Sequence, residues 1–276
     1  MSVPNSRRNL DIAIERLAQG SGDAVRIRRT LANAIVSQLI PDGAVKGGSS
    51  LKLRFGDAAT RFSRDLDAAR SMDIEEYANR LEDALSTGWN GFTGRLVRGH
   101  QASPKGVSKR YVMQPFEIKL SYNGKSWTTV PLEVGHNEIG DAENPDMLVP
   151  QDASKMLVTL GFPPLDPVPF MKLTHQVAQK IHALTAAGSE RVHDLVDLQV
   201  IMNENPPDLE SIRPVCIRLF SYREMQPWPS YIVANPGWKV GYAVAAEGLC
   251  VLDLDEAIAW GNALIERIDS AMNVTE

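Results

Sequence analysis

Apolar residues recur at helical spacing along residues 8–39, first as Leu10, Ile12, Ile14 and Leu17, then as Leu31, Ile35 and Leu39. The pattern breaks around Gly20-Ser21-Gly22, so it predicts two amphipathic helices. Pro41-Asp42-Gly43 predicts a turn, followed by a short strand or helix start at Ala44-Val45-Lys46 that leads into Gly47-Gly48. Residues 73–85 put Ile74, Tyr77, Leu81 and Leu85 on one stripe behind Asp73, which predicts a helix with an aspartate N-cap. The period then changes from 3.6 to 2. Residues 92–97, 111–120 and 127–134 alternate apolar with polar, and Asn123-Gly124 between the last two predicts a hairpin. A sheet region over roughly 90–135 follows. Beyond it the pattern turns helical over 151–160, 173–187, 190–203, 208–220 and 254–272, with proline-rich joints between. The expected fold class is therefore α/β (α+β). Residues 1–145 form a mixed-sheet domain with N-terminal helices and 146–276 a mostly helical C-terminal domain, the joint falling near 140–170.

Composition narrows the partners. With 29 basic and 34 acidic residues the net charge is −5, so any site for a polyanion has to be a local patch. Cys216 and Cys250 have no metal-binding spacing and are expected to be inert reduced thiols. No signal-like segment is seen and no apolar run approaches 18 residues, so a cytoplasmic chain is expected.

The chemistry concentrates in residues 46–67, KGGSSLKLRFGDAATRFSRDLD. Carboxylates at i and i+2 on a strand face the same side, so Asp65 and Asp67 would present a double negative charge to one pocket, with Leu66 turned inward. Such a pair is costly unless a cation lies between, and hard oxygen donors suit Mg²⁺ or Mn²⁺. Gly47, Gly48 and Ser49 offer unobstructed backbone N–H groups, and a helix opening there would favour anions. Lys52, Arg54 and Arg61 are candidate phosphate clamps. The run lacks G-x-x-x-x-G-K-[ST], which sets it apart from a P-loop.

Taken together, KGGSSL and the later RFSRDLD resemble the signature of the nucleotidyltransferase superfamily, a glycine-rich turn opening a helix and a strand carrying D-x-D. The local form is similar to the AbiEii/AbiGii toxin family of bacterial type IV toxin–antitoxin systems, whose pattern reads K-G-G-[ST]-x-L and then R-x-S-x-D-x-D. The gap here is a couple of residues longer, within residues 55–60. Residues 178–198, AQKIHALTAAGSERVHDLVDL, are similar to the family's later block, A-x-K-x-x-A-L followed by R-x-x-D-L-x-D-L. The resemblance spans most of residues 40–205 and implies a nucleotidyltransferase-like fold. It also implies a Mg²⁺-dependent (or Mn²⁺-dependent) enzyme that moves NMP from an NTP to an acceptor hydroxyl. The expected acceptor is the 3′ end of tRNA, with a cognate antitoxin as partner and no membrane.

Within that resemblance Asp65, Asp67, Lys180 and Asp194 are the expected catalytic residues, joined by Asp197. Gly47, Gly48, Ser49, Lys52, Arg61, Ser63 and Arg191 are expected to bind the nucleotide. A third metal-binding carboxylate on a neighbouring strand is expected at Glu133, with Glu117 as the alternative. Rival readings are nucleotide transfer to protein hydroxyls and a binding module without activity. His175, His182 and His193 read as ordinary helix residues, and Tyr222, Trp228, Tyr231 and Trp238 as packing groups. The basic strip at 95–110 would suit an RNA backbone.

Overall fold

The computed structural model describes residues 2–19, 23–103 and 112–271. The break at Gly20-Ser21-Gly22 lies outside these except for its flanks, as do Tyr111 and residues 104–110 of the basic strip. Two compact units emerge: residues 1–56 with 63–171, and residues 57–62 with 172–276.

The first unit begins with helices α1 (Arg7–Leu17) and α2 (Ala24–Ser37), the expected pair. The Ser6 hydroxyl accepts the Asn9 amide and caps the first. Strand β1 (Gly43–Lys46) runs directly into helix α3 (Gly47–Phe55), and strand β2 (Leu66–Arg70) follows. Helix α4 (Ile74–Thr87) is capped by the Asp73 carboxylate, which accepts the Glu75 amide, and it buries Tyr77, Leu81 and Leu85 as the stripe requires. Strands β3 (Phe92–Arg98), β4 (Gln114–Tyr122) and β5 (Lys125–His136) form the expected sheet region. Asn123 and Gly124 both have positive φ, 47° and 72°, as a two-residue I′ hairpin turn demands.

Two short strands, β6 (Asp146–Leu148) and β7 (Val168–Phe170), bracket helix α5 (Gln151–Thr159) and complete the unit. The sequence reads neither, because three residues among prolines show no period. β7 pairs parallel with β1, and β6 lies antiparallel outside it, so residues 146–171 belong with the sheet. The sheet order is β3-β4-β5-β2-β1-β7-β6. Its core face carries Leu66, Ala68, Ile118, Leu132 and Val134 against Leu31, Ile35, Tyr77, Leu81 and Leu157 of the helices. On the opposite face Ala44 and Ala69 form a small second cluster with Ala142 and Met171.

The second unit is helical: α6 (Leu173–Thr185), α7 (His193–Glu204), α8 (Leu209–Arg223), α9 (Trp238–Ala246) and α10 (Leu254–Ser270). Helix α9 is a further element that the apolar spacing does not announce. Val177, Ile181, Leu195, Leu198, Leu219, Leu264 and Ile268 are fully buried in this unit. Among the described residues no helix is long and apolar enough to cross a membrane.

Candidate functional site

In the first unit the glycine turn and the acidic strand come together. Gly47 has φ +70°, and a Cβ placed there would stand 2.1 Å from Asp67 Oδ2. The Asp67 carboxylate therefore lies against the backbone where α3 begins, the helix end whose amides favour anions. Only glycine satisfies both the left-handed backbone and this approach. Gly47→Ala should consequently be destabilising and displace Asp67, lowering both thermal stability and transfer activity against wild type.

Strand register places the carboxylates. Asp67 is the Cα partner of Lys46 on β1 and of Glu133 on β5, so Lys46, Asp67 and Glu133 form one row across three strands. Partners in adjacent strands share a face, and Leu66, Ala68, Leu132 and Val134 take the core face, so the row lies on the other. Neighbouring strands are about 4.8 Å apart, which puts Asp67 and Glu133 side by side. Glu117 stands apart. It is opposite Pro131 on a strand one further from β2, and its carboxylate pairs with Lys119 at 2.6 Å.

Asp65 comes one residue before β2 begins and is exposed, so it is not a strand residue paired with Asp67 by alternation. Its position is held from behind. The Ser49 hydroxyl is 1% exposed, donates to the Asp65 carbonyl and lies 3.1 Å from Ser63 Oγ. Ser49 and Ser63 thus tie the first turn of α3 to the acidic segment. Lys52 is buried, at 5% exposure. Arg54, expected to clamp phosphate, turns inward: its guanidinium binds Asp146 at 2.9 Å and the Met171 carbonyl at 3.2 Å and lies 5.3 Å from the Phe170 ring centre. It anchors α3 to β6 and the end of β7.

Asp65, Asp67 and Glu133 are all hard oxygen donors, the kind that a divalent ion such as Mg²⁺ or Mn²⁺ takes. Among the described residues, no three His, Cys, Asp or Glu side chains converge as a ready-made metal cage.

The second unit gathers the other expected residues. Lys180 Nζ lies 2.8 Å from Asp194 Oδ1 and 2.6 Å from Asp197 Oδ2, with all three side chains nearly fully buried. Arg61 grips Asp197 bidentately at 2.8 and 2.9 Å, and Arg191 Nε binds Asp194 at 2.9 Å. Burial opposes the Lys180 charge, but Asp194 and Asp197 outweigh it and raise its pKa above the ordinary value. Burial likewise opposes both carboxylates. Lys180 and Arg191 nevertheless hold Asp194 well below the usual range, and Lys180 and Arg61 lower the pKa of Asp197. A lysine so fixed is a permanent charge that cannot take up a proton. Arg191 has the most accessible side chain of the five, at 58% exposure against 17% for Arg61.

His193 borders this network, its Nε2 3.9 Å from Asp194 Oδ1, and burial above all lowers its pKa to about 4 from 6.5. Between those values the unfolded chain binds a proton that the folded chain refuses, so stability falls as pH drops through this window. Below it the depressed pKa values of Asp194 and Asp197 add a second loss, because their ion pairs give way only in stronger acid than a free carboxylate needs. Thermal melts from pH 7 to 4 should show the first loss, and His193→Gln should flatten that part of the profile.

His182 is buried edge-on against Phe220, which packs in turn on Trp228. Of the basic strip, Arg95 and Arg98 lie on β3, and Arg98 pairs with Glu75. Lys46, the first residue of KGGSSL, is the member of the row that the expected site residues leave out; its register sets it opposite Asp67.

Residues 29–262 match the profile of one family, described as nucleotidyl transferase AbiEii toxin, type IV TA system. Among solved structures the chain is similar to MenT4, a nucleotidyltransferase toxin from Mycobacterium tuberculosis. The identity is 18% and the TM-score 0.47, over 94% of this chain and 98% of that one. No curated protein matches the chain. The family match spans both residue clusters.

Proposed function

We propose that this chain, which belongs to the AbiEii nucleotidyl transferase toxin family of type IV toxin–antitoxin systems, transfers NMP from an NTP to the 3′-terminal hydroxyl of tRNA and so blocks translation and growth. The nucleotidyltransferase activity is that of the family; the acceptor and the residue roles are the proposal. The observation that carries it is the row placing Asp67 beside Glu133 and against the Gly47 turn.

Asp65, Asp67 and Glu133 would hold Mg²⁺ or Mn²⁺, which when bound neutralises phosphate charge. The N–H groups of Gly47, Gly48 and the α3 N-terminus would receive phosphate oxygens, and Ser49 and Ser63 would keep the acidic segment in place. The acceptor oxygen attacks the α-phosphorus, the bond to the β-phosphate oxygen breaks, and pyrophosphate leaves with that electron pair. Glu133 would accept the hydroxyl proton. In the second unit, Lys180, Asp194, Asp197 and Arg61 would act as a fixed ion network that holds Arg191, its most accessible cation, in place. Positioning and charge stabilisation, without a covalent enzyme intermediate, supply the rate.

The test incubates purified protein and Mg²⁺ with each α-labelled NTP and either total RNA or total protein. Label on the 3′ end of tRNA is expected. Label on protein instead would replace the acceptor, and label on neither would remove the activity. A type IV toxin has a cognate antitoxin, so co-expression of that partner should restore growth.

A further inference from the structure

We propose that Lys46 is a phosphate-binding residue of the same site, contacting the NTP triphosphate beside Asp67 and Glu133; the assignment rests on the reading above. Lys46 ends β1 and immediately precedes Gly47, so its backbone is the N-cap of α3. Its side chain shares a face with Asp67, its register partner, and with Glu133 beyond. The next row on that face is Ala44–Ala69–Gly135, in which no side chain exceeds a methyl group.

The lysine crosses this row. A Cβ built on Gly135 would lie 3.1 Å from Lys46 Nζ, so the ammonium has passed over β2 and reached β5. There it is half-buried, and among the described residues it forms no ion pair or hydrogen bond. Its charge is thus available to an anionic ligand bound over the face it shares with Asp67 and Glu133. The anion that belongs next to two metal-binding carboxylates and a helix N-terminus is a phosphate of the substrate. Glycine at 135 is what leaves the ammonium room.

Equilibrium binding of the four NTPs and of inorganic tripolyphosphate, without metal or RNA, tests this. Lys46→Met should raise the dissociation constants about ten- to a hundredfold, the range for a lost charge-assisted hydrogen bond. Lys46→Arg should restore much of the binding. Gly135→Ala provides a second route, because it keeps the charge and displaces only the flexible tip. It should leave the melting temperature near wild type and weaken binding by a smaller factor. Affinities within twofold of wild type for both Lys46→Met and Gly135→Ala overturn the assignment. If Asp67→Asn is inactive while Lys46→Met binds normally, only the Lys46 role is lost. If Asp67→Asn retains full transfer activity, the reading of the whole site fails.

Discussion

Asp67→Asn is expected to lower nucleotidyl transfer by about a thousandfold, the scale seen when one preorganised electrostatic group is removed from a reaction centre. The substitution keeps shape and removes charge at the one carboxylate that touches both halves of the site. Asp67 lies between Lys46 and Glu133 in the sheet, with its Oδ2 against Gly47. Stability should change little, because the side chain is on the half-exposed face while Leu66 and Ala68 hold the strand in the core. Removing one of two adjacent negative charges can even relieve repulsion. Transfer assays beside thermal melts separate a chemical loss from a folding loss.

The second large effect is on folding. Asp197→Ala should destabilise the protein by about 3–5 kcal/mol, because breaking a buried ion network leaves charges without compensation. Asp197 is 3% exposed and holds both Lys180 and Arg61. Without it, Lys180 keeps Asp194 alone, and the Arg61 fork loses both carboxylate oxygens. Adding Lys180→Met to Asp197→Ala should recover part of the loss, since the methionine removes the charge and fills the space. Denaturant unfolding of wild type, both single variants and the double variant gives the coupling directly. Additive losses would contradict the network.

The two effects mark what was legible in the residues. Helices α1, α2 and α4 and the β4–β5 hairpin could be read because their apolar periods run through several turns or alternations, with a capping Asp73 before α4 and Asn123-Gly124 at the hairpin turn. β6 and β7 could not, since a three-residue strand among prolines carries no period and exists through its partner, β1. Helix α9 is nearly apolar throughout, and its Val240 and Val244 are exposed, so it shows no clean stripe.

The site divides in the same way. Gly47, Asp67, Lys180 and Asp194 stand in the two motif blocks, and Glu133 is expected from the superfamily's third carboxylate on a neighbouring strand. Where a long side chain ends is not legible in this way. Arg54 looks like Arg61 in the sequence, yet it turns inward to Asp146, and Lys46 crosses β2 to Gly135. Those destinations depend on sheet order and on small residues remote in the chain.

The central claim is that the Asp67–Glu133 row beside the Gly47 turn performs nucleotidyl transfer to tRNA. Its most direct test is incorporation of α-labelled NTP into tRNA by wild-type protein and by Asp67→Asn, with Mg²⁺ present and both proteins shown to be folded. The account predicts 3′-terminal label with wild type and about a thousandfold less with the variant. Equal incorporation by the two proteins would contradict it.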